Sequence, residues 1–217
     1  VGLALADVAM AAVAWRGELA DVEVNGSERE SMGNDLYGAF GRDFVTADDR
    51  RVMVVAITPH QWEGLQAATG AVGAVDELAV ELGLDLTDEG ARFVARDRLG
   101  EIFAPWFAER TLAGVAEELD AHGACWGPYR TFRQMLDEDP RCSTGNPMFA
   151  EVDQPGVGVH LVPGSPLAFG GPEATERGAV AAPRLGEHTE AVLSVELGLG
   201  PAEIGALVDR GAVALPN

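Results

Sequence analysis

The sequence contains no lysine: all fifteen of its strong cations are arginine. That absence removes every mechanism resting on a P-loop lysine, a Schiff-base lysine or a lysine general base. Positive charge is scarce altogether, since 35 Asp and Glu face 15 Arg and leave a formal net charge of -20. A surface of that sign repels polyanions, so nucleic acid is not expected as a partner. Cysteine is nearly absent. Cys125 and Cys142 belong to no CxxC pair and no spaced set, which fits a reducing, cytoplasmic compartment. Long hydrophobic runs are missing too. The opening VGLALADVAMAAVAW is too short to span a bilayer, carries Asp7 and lacks the basic flank of a signal peptide, so no membrane association is expected. The chain begins on Val1 in mid-pattern, which reads as a piece of something longer or a processed product.

What is present fits a folded protein. Hydrophobic residues make up 47% and charged residues 23% of 217, enough for one ordinary domain or two small ones. Leu3, Ala6, Met10, Val13 and Ala14 recur at helical spacing and predict a buried helix over residues 2–15, with Gly17 at its C-terminal cap. Residues 21–29 read as a polar connector. DFVTADDRRVMVVAI, residues 43–57, reads as a hairpin turning at Asp48, Asp49 and Arg50. A helix then starts with Thr58 as N-cap, Pro59 at its first position and Gln61 completing a capping box, and it turns Trp62 and Leu65 inward. From Thr87 the pattern is helical again, with Leu99, Ile102, Phe103 and Trp106 on one stripe and Pro105 set to kink or end it. Thr111 caps a helix with Val115 and Leu119 inward and Gly123 at its end, and Thr131 to Asp137 predicts a short one. MFAEV, VGVHLV and PGSPLAF read as strands meeting at turns, and helices over 187–197 and 201–210 close the chain.

Between the connector and the hairpin lies GNDLYGAFGRDF, residues 33–44, with glycines at 33, 38 and 41 and three aromatic residues. A phosphate-cradling loop follows a strand and opens a helix, whereas this one follows a connector and precedes a hairpin, so Rossmann and P-loop readings fail on context. Two readings stay open: a plain hairpin lead-in, or a mobile lid. In the second, glycines supply unusual backbone angles while Tyr37 and Phe40 exclude water.

The other reactive residues have plainer explanations. His60 and His188 fall in first turns of helices, where the helix dipole disfavours a protonated ring. His122 and Cys125 could seed a metal site, but no second pair completes a tetrahedral set. His160 alternates away from Val159 and Leu161 toward the opposite face. The acidic pair Glu117 and Glu118 and the run Asp137 to Asp139 read as solvated helix faces. No metal and no separate organic cofactor are expected.

APRLGEHTEAVLSVELGLGPAEIGALVDRGAV, residues 182–213, resembles the C-terminal signature of class III coenzyme A transferases, the CaiB/BaiF family. ADDRRVMVVAITPHQWEGL resembles the start of that family's small domain, HGACWGPYRTFRQMLDEDP its later helical segment, and GSPLAFGG its return toward the large domain. GNDLYGAFGRDF looks most like the subgroup that moves CoA within one mesaconyl-CoA molecule. The resemblance implies an α/β architecture. A small domain of helices around a short antiparallel sheet would span 41–149. Residues 1–40 (helix, linker and glycine loop) and 150–217 (return strands and C-terminal helices) would belong to an incomplete, Rossmann-like large domain. It also implies an acyl-CoA substrate, with CoA entering as part of it, and an interlocked homodimer. A nucleophilic aspartate would attack the thioester and pass through a mixed anhydride and an aspartyl-CoA thioester. That aspartate is expected in a half of the family's chain not covered here, and Asp7 does not take its place. Uncovered apolar surface on the helix of residues 2–15 would follow. What this chain would supply is the glycine loop over the reacting centre, with Tyr37, Gly38, Phe40 and Gly41 as substrate-binding residues. Two alternatives stand beside this: a non-catalytic remnant or interaction module, and an acyl-CoA racemase or epimerase of the same superfamily.

Overall fold

The computed structural model describes residues 2–167 and 179–216. The chain divides into two compact units, Val1–Tyr129 and Arg130–Asn217. Within the second unit the Asp139 carboxylate accepts hydrogen bonds from Arg141 Nη2 at 2.6 Å and Arg130 Nη1 at 3.2 Å.

In the first unit, helices α1 (Leu5–Trp15) and α2 (Glu18–Asn25) precede the loop, and strands β1 (Phe40–Val45) and β2 (Arg51–Ala56) follow it. Helices α3 (Pro59–Thr69), α4 (Val72–Leu82), α5 (Glu89–Val94), α6 (Arg96–Ala108) and α7 (Leu112–Ala121) come next, and β3 (Cys125–Pro128) ends the series. The sheet is antiparallel in the order β1-β2-β3, with Phe40 opposite Ala56 and Val54 opposite Trp126. Strand alternation turns Phe40, Phe44, Val52, Val54 and Ala56 to one face, where all are buried, and the helices pack on that face. Phe44 stacks on Phe107 at 4.3 Å, and Phe40 meets Phe103 at 5.4 Å.

The local signals act as read. Gln61 N–H donates to Thr58 Oγ1 and Thr58 N–H to Gln61 Oε1, the reciprocal pair of a capping box. Asp48 Oδ1 accepts from Thr46 Oγ1 at 2.6 Å and from Leu112 N–H at 3.0 Å, so the hairpin turn is pinned to the start of α7. Asp49 takes the left-handed conformation there, φ 56°, which Asp tolerates better than most residues.

Four expectations change. The 2–15 helix forms over Leu5–Trp15 but buries no residue, leaving Leu5, Met10 and Trp15 exposed. The connector is largely helix α2, because Gly17 at φ 80° and Gly26 at φ 67° cap it at both ends. Helix α4 and strand β3 were not anticipated. Pro105 does not end α6, which runs to Ala108; Glu101, whose carbonyl the proline leaves without its helical donor, is solvent-exposed.

The second unit holds α8 (Phe132–Glu138), an antiparallel hairpin of β4 (Phe149–Gln154) and β5 (Gly158–Pro163), α9 (Thr189–Ala191) running into a π turn at Val192–Glu196, and α10 (Pro201–Asp209). PGSPLAF adds no strand through Leu167, and its last two residues lie outside the described ones. Gln154 extends the hairpin by side chain: its Oε1 accepts from Ala182 N–H at 2.7 Å and its Nε2 donates to Ala182 O at 3.1 Å. Among the described residues, no helix is long and apolar enough to cross a membrane.

Candidate functional site: the glycine loop

The loop is a short turn on a fixed root. Leu36 N–H donates to Gly41 O at 2.8 Å and closes the turn over the four residues between them. Gly41 is required for that closure, since a Cβ there would stand 2.7 Å from Leu36 Cβ. Strand β1 begins at Phe40, and alternation sends its ring to the core face beside Trp62 and Phe103, where it is 0% exposed. Phe40 is therefore a plug in the core. Ala39 is buried as well, so the tip is the exposed Tyr37 and the half-buried Gly38. Gly38 has φ +83° and open space where a Cβ would be, which leaves the conformational demand as the reason for glycine.

The root is held by charge. Arg42 lies on the core-facing side of β1, in register with Phe40 and Phe44, and it donates two 2.7 Å bonds to the Asp35 carboxylate and one of 2.6 Å to Asp97 at the start of α6. The Asp35 bonds above all raise the Arg42 pKa beyond the usual guanidinium range, and Arg42 in turn lowers that of Asp97. Arg96 adds its Nε 3.5 Å from Asp35. Gly100 makes room for this clamp: a Cβ there would meet Arg42 Nη1 at 2.4 Å. Sequence reasoning missed Asp35, Arg42, Asp97 and Gly100. The available signal was an arginine at the parity of two buried phenylalanines, a position that demands carboxylate partners.

At the tip, the Tyr37 ring is half exposed and held from two sides. The Arg29 guanidinium sits 3.6 Å from its centroid, and Phe93 meets it edge-on at 5.2 Å. Arg29 is itself anchored by a 2.6 Å bond from Nε to Asp21 Oδ2 on α2, which raises the Arg29 pKa and lowers that of Asp21. These side chains border a pocket of about 350 Å³ that Met32 and Arg96 also line. Tyr37 thus lines a pocket, with Gly38 next to it in the turn, while Phe40 and Gly41 fix the turn to the sheet. A tip of this kind can cover a reacting centre without disturbing the core.

The other candidates stay apart. His60 Nε2 would lie 3.0 Å from a Cβ added at Gly123, His122 Nδ1 lies 2.9 Å from Glu118 O at the end of α7, and His160 Nδ1 lies 3.1 Å from Gly158 O on an exposed strand. His188 precedes α9. Cys125 is an exposed thiol and Cys142 a half-buried one. Among the described residues, no three His, Cys, Asp or Glu side chains converge as metal ligands would.

Comparison with known proteins agrees with this architecture. A 2-methylfumaryl-CoA isomerase from Chloroflexus aurantiacus is 50% identical across the whole chain, which covers 53% of that protein. A formyl-CoA:oxalate CoA-transferase from Rhodopseudomonas palustris is 32% identical over 55% of the chain and 28% of its own length. The chain thus spans about half the length, or less, of the curated relatives it matches. Among solved structures, Rv3272 from Mycobacterium tuberculosis superposes on 78% of the chain and 41% of its own, with a TM-score of 0.54 and 20% identity, and a mutant of it with a TM-score of 0.58 and 19% identity over 82% and 43%. These likenesses establish the fold. Residues 1–189 match the family described as CoA-transferase family III, and the chain belongs to that family.

Proposed function

We propose that the intact protein moves coenzyme A between the two carboxylates of one unsymmetrical diacid, as a 2-methylfumaryl-CoA isomerase does. The observation that carries this reading is the 50% identity to such an isomerase across the whole chain. The chemistry explains why a cover is needed. A carboxylate is a weak nucleophile, and the mixed anhydride it forms with an acyl-CoA is lost to water unless the centre is sheltered while CoA stays close. Tyr37 and Gly38 supply the moving part of that shelter, and Phe40 and Gly41 hold it to the sheet. Coenzyme A enters as part of the substrate. An aspartate nucleophile, a Rossmann-like large domain, an interlocked homodimer and a cytoplasmic location complete the reading by family resemblance.

The test is incubation of the intact protein with mesaconyl-CoA and chromatographic separation of the two thioester regioisomers, in the presence of isotopically labelled free mesaconate. Interconversion without label entering the thioester supports intramolecular transfer. Label in the product means transfer between molecules. Absence of both products sinks the reading.

A further inference from the structure

We infer that Arg29 is a positioning residue for the tip of the glycine loop: it seats the Tyr37 ring in the substrate-free protein and so sets how readily the loop closes. The inference rests on the cover role proposed above. Three observations carry it. The turn is fixed at its root by the Leu36–Gly41 hydrogen bond and the Arg42–Asp35 clamp, so Tyr37 and Gly38 are what remains to move. The Tyr37 ring is held at that tip by the Arg29 face at 3.6 Å and the Phe93 edge. Arg29 does not travel with the loop, because Asp21 on α2 holds its Nε.

Closure therefore requires the ring to leave a cation–π seat. The substrate must draw Tyr37 out of it, and the apparent affinity falls by the fraction of molecules in which the ring is seated. A partly exposed cation–π contact is worth about 0.5–1 kcal/mol, which corresponds to roughly two- to fivefold in an equilibrium. Arg29 acts only through Tyr37, so its removal should move KM and leave the chemical step nearly untouched.

The experiment uses the intact protein labelled with fluorotyrosine, with the Tyr37 resonance identified as the one that Tyr37→Phe removes. In Arg29→Met, that resonance should shift without substrate present, and KM for mesaconyl-CoA should fall about two- to fivefold with kcat within a factor of two. Arg29→Lys keeps the cation and should restore both values in part, whereas Asp21→Asn loosens the anchor and should shift them in the direction of Arg29→Met. An unmoved Tyr37 resonance in Arg29→Met overturns the inference, and so does a moved resonance with KM unchanged in a protein whose Tyr37→Ala variant has altered kinetics. If Tyr37→Ala changes neither constant, the cover role fails instead, and the substrate-free resonance still decides whether Arg29 seats the ring.

Discussion

Arg92 offers the sharpest test of how the first unit is held together. It lies in α5, is 1% exposed, and donates to four carbonyls: Thr87 O and Ile57 O at 2.8 Å, Leu86 O at 3.2 Å and Ala56 O at 3.3 Å. Its guanidinium also faces the Trp62 ring at 5.2 Å. Among the described residues no carboxylate hydrogen-bonds to it, and burial pulls its pKa below the ordinary guanidinium value, although an arginine stays charged. One side chain thus fastens the end of β2 to the loop before α5. Bonds from a charged donor contribute about 1.5–3 kcal/mol each, a gross of roughly 6–12 for four. Removing the charge recovers its desolvation penalty, several kcal/mol. The net loss for Arg92→Met is then about 2–4 kcal/mol, or a Tm lower by roughly 10 °C for a unit of this size. Arg92→Lys keeps charge and reach but has three donors in place of a planar fork, so about half that loss is expected. Urea unfolding read by tryptophan fluorescence should show a lower midpoint at unchanged slope. A Met variant within about 0.5 kcal/mol of the parent, or a Lys variant worse than the Met one, would refute the four-carbonyl account.

Further outcomes follow from the same geometry. Gly64→Ala would place a Cβ 2.4 Å from His122 O, a backbone atom, and should destabilise by about 3 kcal/mol or more, whereas Gly73→Ala in α4, with nothing within 4 Å, should stabilise by about 0.5–1 kcal/mol in the same melts. Gly38→Val places a β-branched residue at φ +83° and should lower turnover more than it raises KM, while Gly41→Val should act mainly on stability through Leu36; equal kinetic effects would contradict the division into tip and root. Asp139 is held well below the carboxylate range, first by its bonds from Arg141. Its contribution is complete above about pH 4 and disappears as pH falls toward the folded value, so Asp139→Asn should lower stability at neutral pH and flatten the acid limb of an unfolding titration.

The capped helices and the Asp48 hairpin could be read from sequence because each is dictated locally: a capping box or a turn cluster fixes its own few residues. Helix α2 escaped because its middle is polar and β-branched, and its limits depend on two glycines whose left-handed angles a pattern does not reveal. The third strand escaped because Cys125, Trp126, Gly127 and Pro128 carry no alternation and pair only through contacts distant in sequence. At the glycine loop, composition drew attention to the stretch but not to its division into tip and root. Whether Phe40 covers or plugs depends on where β1 begins, and that is set by pairing with Ala56. The Arg42 clamp joins residues as much as 55 positions apart, beyond any local rule.

Because Phe40 ends the loop and also fills the core, two properties that engineers prefer to vary separately are welded together at one side chain. Libraries that randomise the whole stretch from Leu36 to Arg42 would mostly return misfolded protein, since five of its seven positions serve the scaffold. Diversity confined to Tyr37 and Gly38 leaves the scaffold intact.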